Sequence, residues 1–326
     1  MIHLINETKE GEFGNWTNSS TVEEPTIYFT NKISMIVGIP TFLENILAVA
    51  VLLRCRNMIS QIRTLLLNLS IADCLTGLVL ALPDYAYEWA FHCRIKKYLA
   101  ATIVFATFYT ISLLNLDRCL ALFLGIRYYI KVTAFRVRFS CVSAWFLAFG
   151  NSYLMYYDPT EPTGIYCSMM YWSPYNFGTA ISSASIILFA IINIVLLGVM
   201  LYMVPKDATS KVLSKMALIT GFALVCYTPA LLLHAFFPMK DSHYRRLIAY
   251  TGVLLFSNSI LNPILYVWRF KETRYYVIKT FCFWNKRYLQ KCDEEWKFQT
   301  ATFAICQSVP VHCDRNRNSE ANVNQN

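Results

Sequence analysis

Polar side chains within long apolar stretches are the residues of this sequence that could do chemistry, because hydrocarbon makes such groups costly. Asn258 and Asn262 are four residues apart and Ser259 is three before Asn262, so one helix would present all three on one face. Asp73 is the carboxylate that the side chains of this face could contact. A carboxylate with neutral oxygen ligands could hold a hard monovalent cation such as Na⁺, or keep a proton through burial. The alternative is that these groups only join helices. The full set comprises Asp73, Thr107, Asn258, Ser259 and Asn262.

Pro263 directly follows Asn262 in the last apolar stretch. A proline within a helix removes one N–H donor and displaces the carbonyl one turn earlier, and lipid cannot replace the lost partners. Neighbouring helices, side chains or waters must therefore supply them. The sequence predicts a kinked, hydrated and movable helix at residues 262–266.

Asp117 and Arg118 form an adjacent acid and base near the end of another apolar stretch. Such a pair can close locally, and its opening would free Arg118 to reach a partner that arrives from the cytoplasm. The alternative is a helix end that is simply solvated.

Seven apolar stretches must position these residues. In a chain of 326 residues that is 56% hydrophobic and 15% charged, each stretch is close to or beyond the roughly 20 residues that a bilayer requires, except a shorter fourth. We therefore predict an all-α membrane protein, a bundle of seven transmembrane helices. The stretches are residues 31–53, 64–86, 94–122, 139–157, 176–204, 212–237 and 246–268.

Charges near the helix ends predict the orientation. The loops after the first and third stretches carry several bases and no acid, whereas the loop after the fourth carries Asp158 and Glu161 and no base. The positive-inside rule then places the N-terminus outside, where Asn6, Asn15 and Asn18 match glycosylation patterns. Anionic lipids of the inner leaflet account for much of the net charge of +9, so no nucleic-acid partner is expected.

The eleven cysteines do not form a disulfide framework, because most fall in apolar stretches or on the cytoplasmic side. Cys93 and Cys167 are the two that the orientation places outside, in the oxidising compartment. A bridge between them would tie the top of the third helix to the loop before the fifth. The alternative is two free thiols.

Four regions follow along the chain. Residues 1–30 form an extracellular glycosylated tail, and residues 31–268 form the transmembrane domain. Residues 269–282 alternate bases with apolar groups, which predicts a short amphipathic helix on the inner leaflet that ends at Cys282, a residue that could carry a palmitoyl chain. Residues 283–326 are polar and Asn-rich at the end, which predicts a disordered cytoplasmic tail.

Several motifs in order make the chain resemble the rhodopsin-like (class A) G-protein-coupled receptors over roughly residues 33–282. Cys93 stands 25 residues before Arg118, the spacing that such receptors use, which strengthens the predicted bridge. A looser likeness connects the chain with the melanocortin, adenosine and lipid receptor branch. The landmarks are Asn45, Leu69-Ser70-Ile71-Ala72-Asp73, Cys93, Asp117-Arg118-Cys119, Trp145, Cys167, Cys226-Tyr227-Thr228-Pro229 and Asn262-Pro263-Ile264-Leu265-Tyr266.

The resemblance implies a plasma-membrane receptor that binds an extracellular ligand and opens a cytoplasmic cleft for a heterotrimeric G protein by outward movement of the sixth helix. Asp117, Arg118, Tyr202 and Tyr266 would form the G-protein switch. The polar set around Asp73 would be a sodium pocket whose collapse accompanies activation. No enzymatic role and no other cofactor are implied.

Departures from the family pattern occur at switch positions. Cys119 replaces an aromatic residue, Tyr227 a tryptophan, Ala223 a phenylalanine and Gly125 a proline, and no proline lies near Ile194. We therefore predict altered basal signalling. The alternative is a decoy or scaffold receptor that binds ligand with weak or no coupling.

The predicted ligand site lies at the outer end of the third helix. Amine receptors in this family carry an aspartate at the position of Ala100, so an amine ligand is disfavoured, and Phe256 stands where opsins carry the lysine that links retinal. The basic mouth allows an anionic small molecule, a lipid or a peptide, anchored by Lys97, although these bases could instead contact lipid headgroups. The candidate ligand residues are Lys97, Ala100, Ala101, Val104, Tyr227, His234 and Phe256.

Two other membrane-protein classes fit the sequence less well. A transporter or channel would require inverted repeats or a continuous polar pore lining, neither of which the sequence contains. An intramembrane enzyme would require a second catalytic group near Asp73, where only amides and hydroxyls are available.

Overall fold

The computed structural model describes residues 20–82, 90–156, 177–203, 221–229, 233, 242–282 and 284–308, and the regular elements in these ranges are helices. Those that bear on function are α1 (Ser20–Arg54), α2 (Ser60–Ala81), α3 (Ala90–Leu124), α4 (Ala134–Tyr156), α5 (Phe177–Met203), α6 (221–229), α7 (Ser242–Arg269), α8 (Lys271–Phe281) and α9 (Lys286–Ser308).

Four segments in the described part of the chain are long and apolar enough to cross a membrane. They lie at Ser34–Arg54, Ser60–Ala81, Ile95–Lys131 and Ala180–Met203, and α7 adds a shorter apolar helix at Leu254–Leu265. The α4 helix lies where the fourth span is predicted but is less apolar, since it holds Asn151 and several serines and aromatic residues. The all-helical, multi-pass prediction is therefore confirmed, while the count of seven spans stays a prediction.

The chain divides into two compact units, Met1–Tyr266 and Val267–Asn326. In the first unit α3 lies centrally, since it packs against α2, α4 and α5, while α1 packs against α2 and α4 against both α2 and α5. In the apolar window of α3 72% of the residues are buried, compared with 17% in that of α5. The residues of α3 are thus placed to contact several helices at once.

Two glycines bring α1 and α2 into close contact. A Cβ atom at Gly77 would lie 2.4 Å from the backbone nitrogen of Phe42, and one at Gly38 would lie 2.6 Å from that of Ala81. Small residues at helix interfaces in membranes let backbones approach and pack by van der Waals contact. This close approach fixes α1 beside α2 and so positions Asn45 near Asp73.

The second unit contains a helix that composition did not predict. The expectation of a disordered tail from residue 283 does not hold for α9, whose Asn285 Oδ1 accepts a hydrogen bond from Tyr288 N at 3.1 Å, as an N-cap does. Against α8, the Trp296 ring stacks on that of Tyr275 at 5.2 Å, and the Tyr275 hydroxyl donates to Asp293 Oδ1 at 2.5 Å. Trp296 and Asp293 are three residues apart and so share one face of α9. Their contacts with Tyr275 hold this face against α8, although the composition of α9 is polar.

The α1 helix also begins earlier than predicted. It starts at Ser20, within the stretch 1–30 that was predicted as an extracellular tail, and ends at Arg54, close to the predicted end of the span. Hydropathy marks the part of a helix that can lie in lipid, and a helix can continue beyond it through polar residues.

Candidate functional site

Asp73 is the centre of a buried polar site between α2 and α7. The side chain is fully buried, Ser259 Oγ donates to its Oδ1 at 2.7 Å, and Asn262 Nδ2 donates to its Oδ2 at 2.7 Å. Hydrogen bonds to both oxygens stabilise the carboxylate and fix its direction. The structure thus brings together the carboxylate and the polar face that helical spacing places on α7.

Asn45 connects the same site to α1. Its Nδ2 atom donates to the main-chain oxygen of Ser259 at 3.0 Å and to that of Thr41 at 2.9 Å. The Ser259 carbonyl lies one turn before Pro263, which has no N–H to donate to it. The amide of Asn45 therefore replaces the donor that the proline removes.

Thr107 of α3 and Asn258 of α7 complete the polar set. Both are buried, and Thr107 Oγ1 and both amide atoms of Asn258 have no hydrogen-bond partner of ordinary geometry among the described residues. The same holds for Asn45 Oδ1 and Ser70 Oγ. Buried polar atoms without partners are costly, and oxygen atoms of hydroxyl, amide and carboxylate type are the ligands that hard cations prefer. The donor set therefore fits the predicted Na⁺.

Tyr227, which was predicted to lie below Lys97 in the ligand pocket, is placed beside this polar site, and its role in ligand binding stays a prediction. Its side chain is buried, lies close to Thr107 and Asn258, and packs its ring 5.8 Å from that of Phe108. A phenol in place of the usual indole thus adds a hydroxyl group to the polar surroundings of Asp73.

Near the C-terminal end of α3, Arg118 is paired with the carboxylate of Asp117. The Tyr128 hydroxyl donates to the other carboxylate oxygen at 2.5 Å. Tyr128 reaches this position because the chain turns back after α3 through Gly125, whose φ of 51° is a conformation that glycine adopts without strain. The sequence analysis missed Tyr128, although the glycine before it was a signal of a tight turn.

The other predicted switch residues are less defined. Tyr202, near the end of α5, is 91% exposed. The backbone of Tyr266 lies in α7, but its side chain is outside the described part of the structure. The structure therefore groups Asp117, Arg118 and Tyr128, and the roles of Tyr202 and Tyr266 stay predictions.

Three of the predicted ligand residues, Ala100, Val104 and Phe256, line one small cavity beside the N-terminal half of α3. Its volume is about 10 Å³, which is room for roughly one water molecule. Ala101 is buried outside this lining, and Lys97 lies one helical turn before Ala101 and is partly exposed. The remaining lining residues are Thr76, Val79, Leu80 and Ile103.

Several predicted sites lie outside the described residues. These are the glycosylation sites Asn6, Asn15 and Asn18, the ligand residue His234, and Cys167 together with the side chain of Cys93. Cys282 is a free, partly exposed thiol at the end of α8, where an acyl chain was predicted.

One polar cluster inside the membrane domain was not predicted at all. Asn193 of α5 is fully buried between Ser112 and Asn115 of α3, which are also buried. Asn115 Nδ2 donates to Asn193 Oδ1 at 2.6 Å, and Asn193 Nδ2 donates to Ser112 Oγ at 2.6 Å. The signal was an amide in the middle of an apolar run, the same kind of signal that identified Asp73.

Comparison with known sequences provides an independent line of argument. A sequence model of the family described as "7 transmembrane receptor (rhodopsin family)" matches residues 44–266. Galanin receptor 2a of Danio rerio is 26% identical over 310 residues, which cover 83% of this chain and 83% of that protein.

Two further relatives match smaller shares of their own length. A probable glycoprotein hormone G-protein coupled receptor of Anthopleura elegantissima is 25% identical over 272 residues, 72% of this chain and 28% of that protein. The neuromedin-K receptor of Cavia porcellus is 29% identical over 114 residues, 33% of this chain and 26% of that protein.

Proposed function

This chain belongs to the rhodopsin family of seven-transmembrane receptors, and we propose that it binds an extracellular ligand and in response activates a heterotrimeric G protein. It is a receptor and not an enzyme. The proposal extends to the plasma membrane as its location, with the N-terminus outside.

The observation that carries the proposal is the closed arrangement around Arg118. Asp117 holds its guanidinium group, and Tyr128 holds the other oxygen of Asp117, so the base is kept from a cytoplasmic partner. Activation then requires a second packing in which this pair opens. An agonist shifts the population toward that packing only by binding it more tightly than the resting one.

The buried site at Asp73 is the second part of the proposed switch. It connects α1, α2 and α7 through Asn45, Ser259 and Asn262, so a change in the spacing of these helices must alter its hydrogen bonds. When bound there, Na⁺ would supply a positive charge that favours the packing in which these groups surround it. Asp73 would carry the balancing charge, with Thr107 and Asn258 as neutral oxygen ligands.

The ligand is proposed to bind mainly outside the level of Ala100. The cavity at that level holds about one water molecule and is lined mostly by apolar side chains, so it offers no anchor for an amine. The named relatives are a galanin receptor, a neuromedin-K receptor and a probable glycoprotein hormone receptor. A polypeptide agonist that covers the outer mouth, with an acidic group beside Lys97, fits both observations.

The experiment that tests the proposed function is expression of the receptor with a panel of G-protein dissociation sensors. Screening should include peptide, lipid and carboxylate libraries, with mock-transfected cells and an Arg118→Ala variant as controls. We expect at least one sensor to respond to the wild type and not to Arg118→Ala. Surface expression with specific ligand binding but no response of any sensor would instead identify a decoy or scaffold receptor.

A further inference from the structure

The interface between α3 and α5 has the spacing of a coiled-coil seam. On α3 the contact residues recur at intervals of four and three, and their partners on α5 recur in the same way. The pairs Phe108–Phe189, Ser112–Asn193 and Cys119–Met200 share one offset of 81 residues. Apolar residues at this spacing pack as knobs into holes along two neighbouring helices.

Asn193 is the polar residue that α5 contributes to the middle of this seam, opposite Ser112 and Asn115 of α3. Its amide group is saturated, because Nδ2 donates to Ser112 Oγ at 2.6 Å and to the Phe189 oxygen at 2.8 Å, while Oδ1 accepts from Asn115. Ser112 in turn donates to the Phe108 oxygen at 3.0 Å. A shift of α5 along α3 would leave these groups without partners in a medium that has no water to replace them.

A single buried asparagine in a seam of this kind favours one register over all others. The absence of a proline near Ile194 has a direct consequence here, because α5 is continuous from Phe177 to Met203 and keeps its contacts in phase with α3. The apolar pairs alone would tolerate a slipped register, since one apolar side chain can replace another at similar cost.

The register of α3 and α5 bears on both parts of the switch. Toward the outside, Phe108 packs against Phe189 and, at 5.8 Å between ring centroids, against Tyr227 beside the Asp73 site. Toward the cytoplasm, Cys119 directly follows Arg118 and donates from its thiol to the Leu196 oxygen at 3.5 Å. Movement of α5 along or away from α3 therefore changes the surroundings of Tyr227 and Arg118 together.

We propose that Asn193 is a positioning residue that holds α5 in register with α3 and so maintains the packing in which Arg118 is paired with Asp117. The signalling consequence rests on the proposed function of the chain as a G-protein-coupled receptor. The positional consequence does not, and Cys119 offers a way to measure it alone, because its thiol is 2% exposed and lies in the same seam.

The test replaces Asn193 with Leu, which has a similar volume but no hydrogen-bonding group, in the full-length receptor. Membranes are treated with N-ethylmaleimide, and labelling of Cys119 is quantified by peptide mass spectrometry relative to Cys141, a buried thiol of α4. Ile194→Ala serves as the control, because that side chain is 56% exposed and off the seam. Labelling of both cysteines would reveal general unfolding.

We expect Asn193→Leu to increase the Cys119/Cys141 labelling ratio by about fivefold or more, the scale of a typical coupling between sites, and Ile194→Ala to leave it unchanged. Basal G-protein activation should rise in parallel, and the apparent melting temperature should fall modestly, because leucine fills the seam but removes the oxygen that accepts from the buried amide of Asn115. Ser112→Ala alone should also raise the Cys119/Cys141 labelling ratio. In a receptor that already carries Asn193→Leu, it should change this ratio little, because both substitutions remove the same hydrogen bond.

An unchanged labelling ratio in Asn193→Leu, or equal labelling of Cys119 and Cys141, would overturn the proposal. A raised ratio in a receptor for which no G-protein sensor responds, in any variant, would support the role of Asn193 in the register and contradict the proposed function instead. The two failures are therefore distinguishable.

Discussion

Asn45 Nδ2 and the main-chain oxygen of Ser259 are joined by a hydrogen bond of 3.0 Å, although 214 residues separate them in the sequence. The bond exists because Pro263, four residues after Ser259, cannot donate to that oxygen. A side chain of α1 thereby compensates for a helix-breaking residue in α7. This relationship connects the integrity of the α7 backbone to the position of α1.

Replacing Asn45 with Ala should therefore destabilise the receptor by about 1–2 kcal/mol, because it leaves the Ser259 carbonyl unpaired in the membrane. The apparent melting temperature in detergent would measure the loss. Pro263→Ala restores an N–H one turn after Ser259, so the cost of Asn45→Ala should be smaller in that background. Equal costs in both backgrounds would show that the bond does not serve this purpose.

Tyr128→Phe should raise basal G-protein activation by a few-fold, because it removes one of the two groups that hold Asp117 in place beside Arg118. Sensor dissociation without agonist, normalised to surface expression, is the measurement. Tyr129→Phe is the matched control, since that neighbouring ring is 61% exposed. Basal activity that rises equally in both variants would assign the effect to the loop and not to the hydrogen bond.

The polar site was predictable from sequence to the extent that helical spacing fixes which side chains share a face. Asp73, Ser259 and Asn262 were found in this way, and so was the need for a donor beside Pro263. That Asn45 supplies the donor could not be predicted, because it depends on how far α1 slides along α2, which Gly38 and Gly77 determine through backbone contact.

The regions that sequence analysis described incorrectly are those where packing outweighs composition. The α9 helix is polar overall, yet Trp296 and Asp293 both meet Tyr275 of α8. Asn193 was overlooked because a single amide hardly lowers the hydropathy of its apolar stretch. In both segments the contacts depend on which residues lie on one face of the helix. Average hydropathy does not show which residues share a face.

Gly77→Ala should prevent correct folding, because the new Cβ would lie 2.4 Å from the backbone nitrogen of Phe42, which cannot move without displacing α1. Surface expression and the maturation of N-linked glycans measure the outcome. Gly150→Ala is the matched control, since a Cβ there meets nothing within 4 Å. Normal maturation of Gly77→Ala would show that α1 and α2 can separate at little cost.

The contact between α8 and α9 should depend on pH in a defined direction. The hydrogen bond from Tyr275, together with the nearby Lys279, lowers the pKa of Asp293 below its usual value. A carboxyl group whose pKa is lowered by folding contributes stability above its ordinary pKa and loses it as the pH falls through the lowered pKa. The contact is therefore fully formed at neutral pH, and Asp293→Asn should weaken it there.

Hydrogen–deuterium exchange of α9 in the full-length receptor at neutral pH is the measurement for this contact. Asp293→Asn and Tyr275→Phe should each increase exchange in α9 and leave α2 unchanged. Glu294→Gln is the control, because that exposed side chain lies beside Asp293 on the same helix. An equal increase of exchange in Glu294→Gln would show that loss of any negative charge on α9 has this effect, and that the contact of Asp293 with Tyr275 is not its cause.

Asp73→Asn should remove any effect of Na⁺ on the receptor, because it deletes the charge that would balance the ion while keeping a side chain of nearly the same shape. In the wild type, replacing choline with Na⁺ should raise the apparent melting temperature and lower basal activation, since an ion that binds one packing better shifts the population toward it. Thr107→Val and Asn258→Leu should weaken the response to Na⁺, because each removes one buried neutral oxygen of the site. A wild-type receptor that responds identically to Na⁺ and choline would leave hydrogen bonding between helices as the whole role of Asp73.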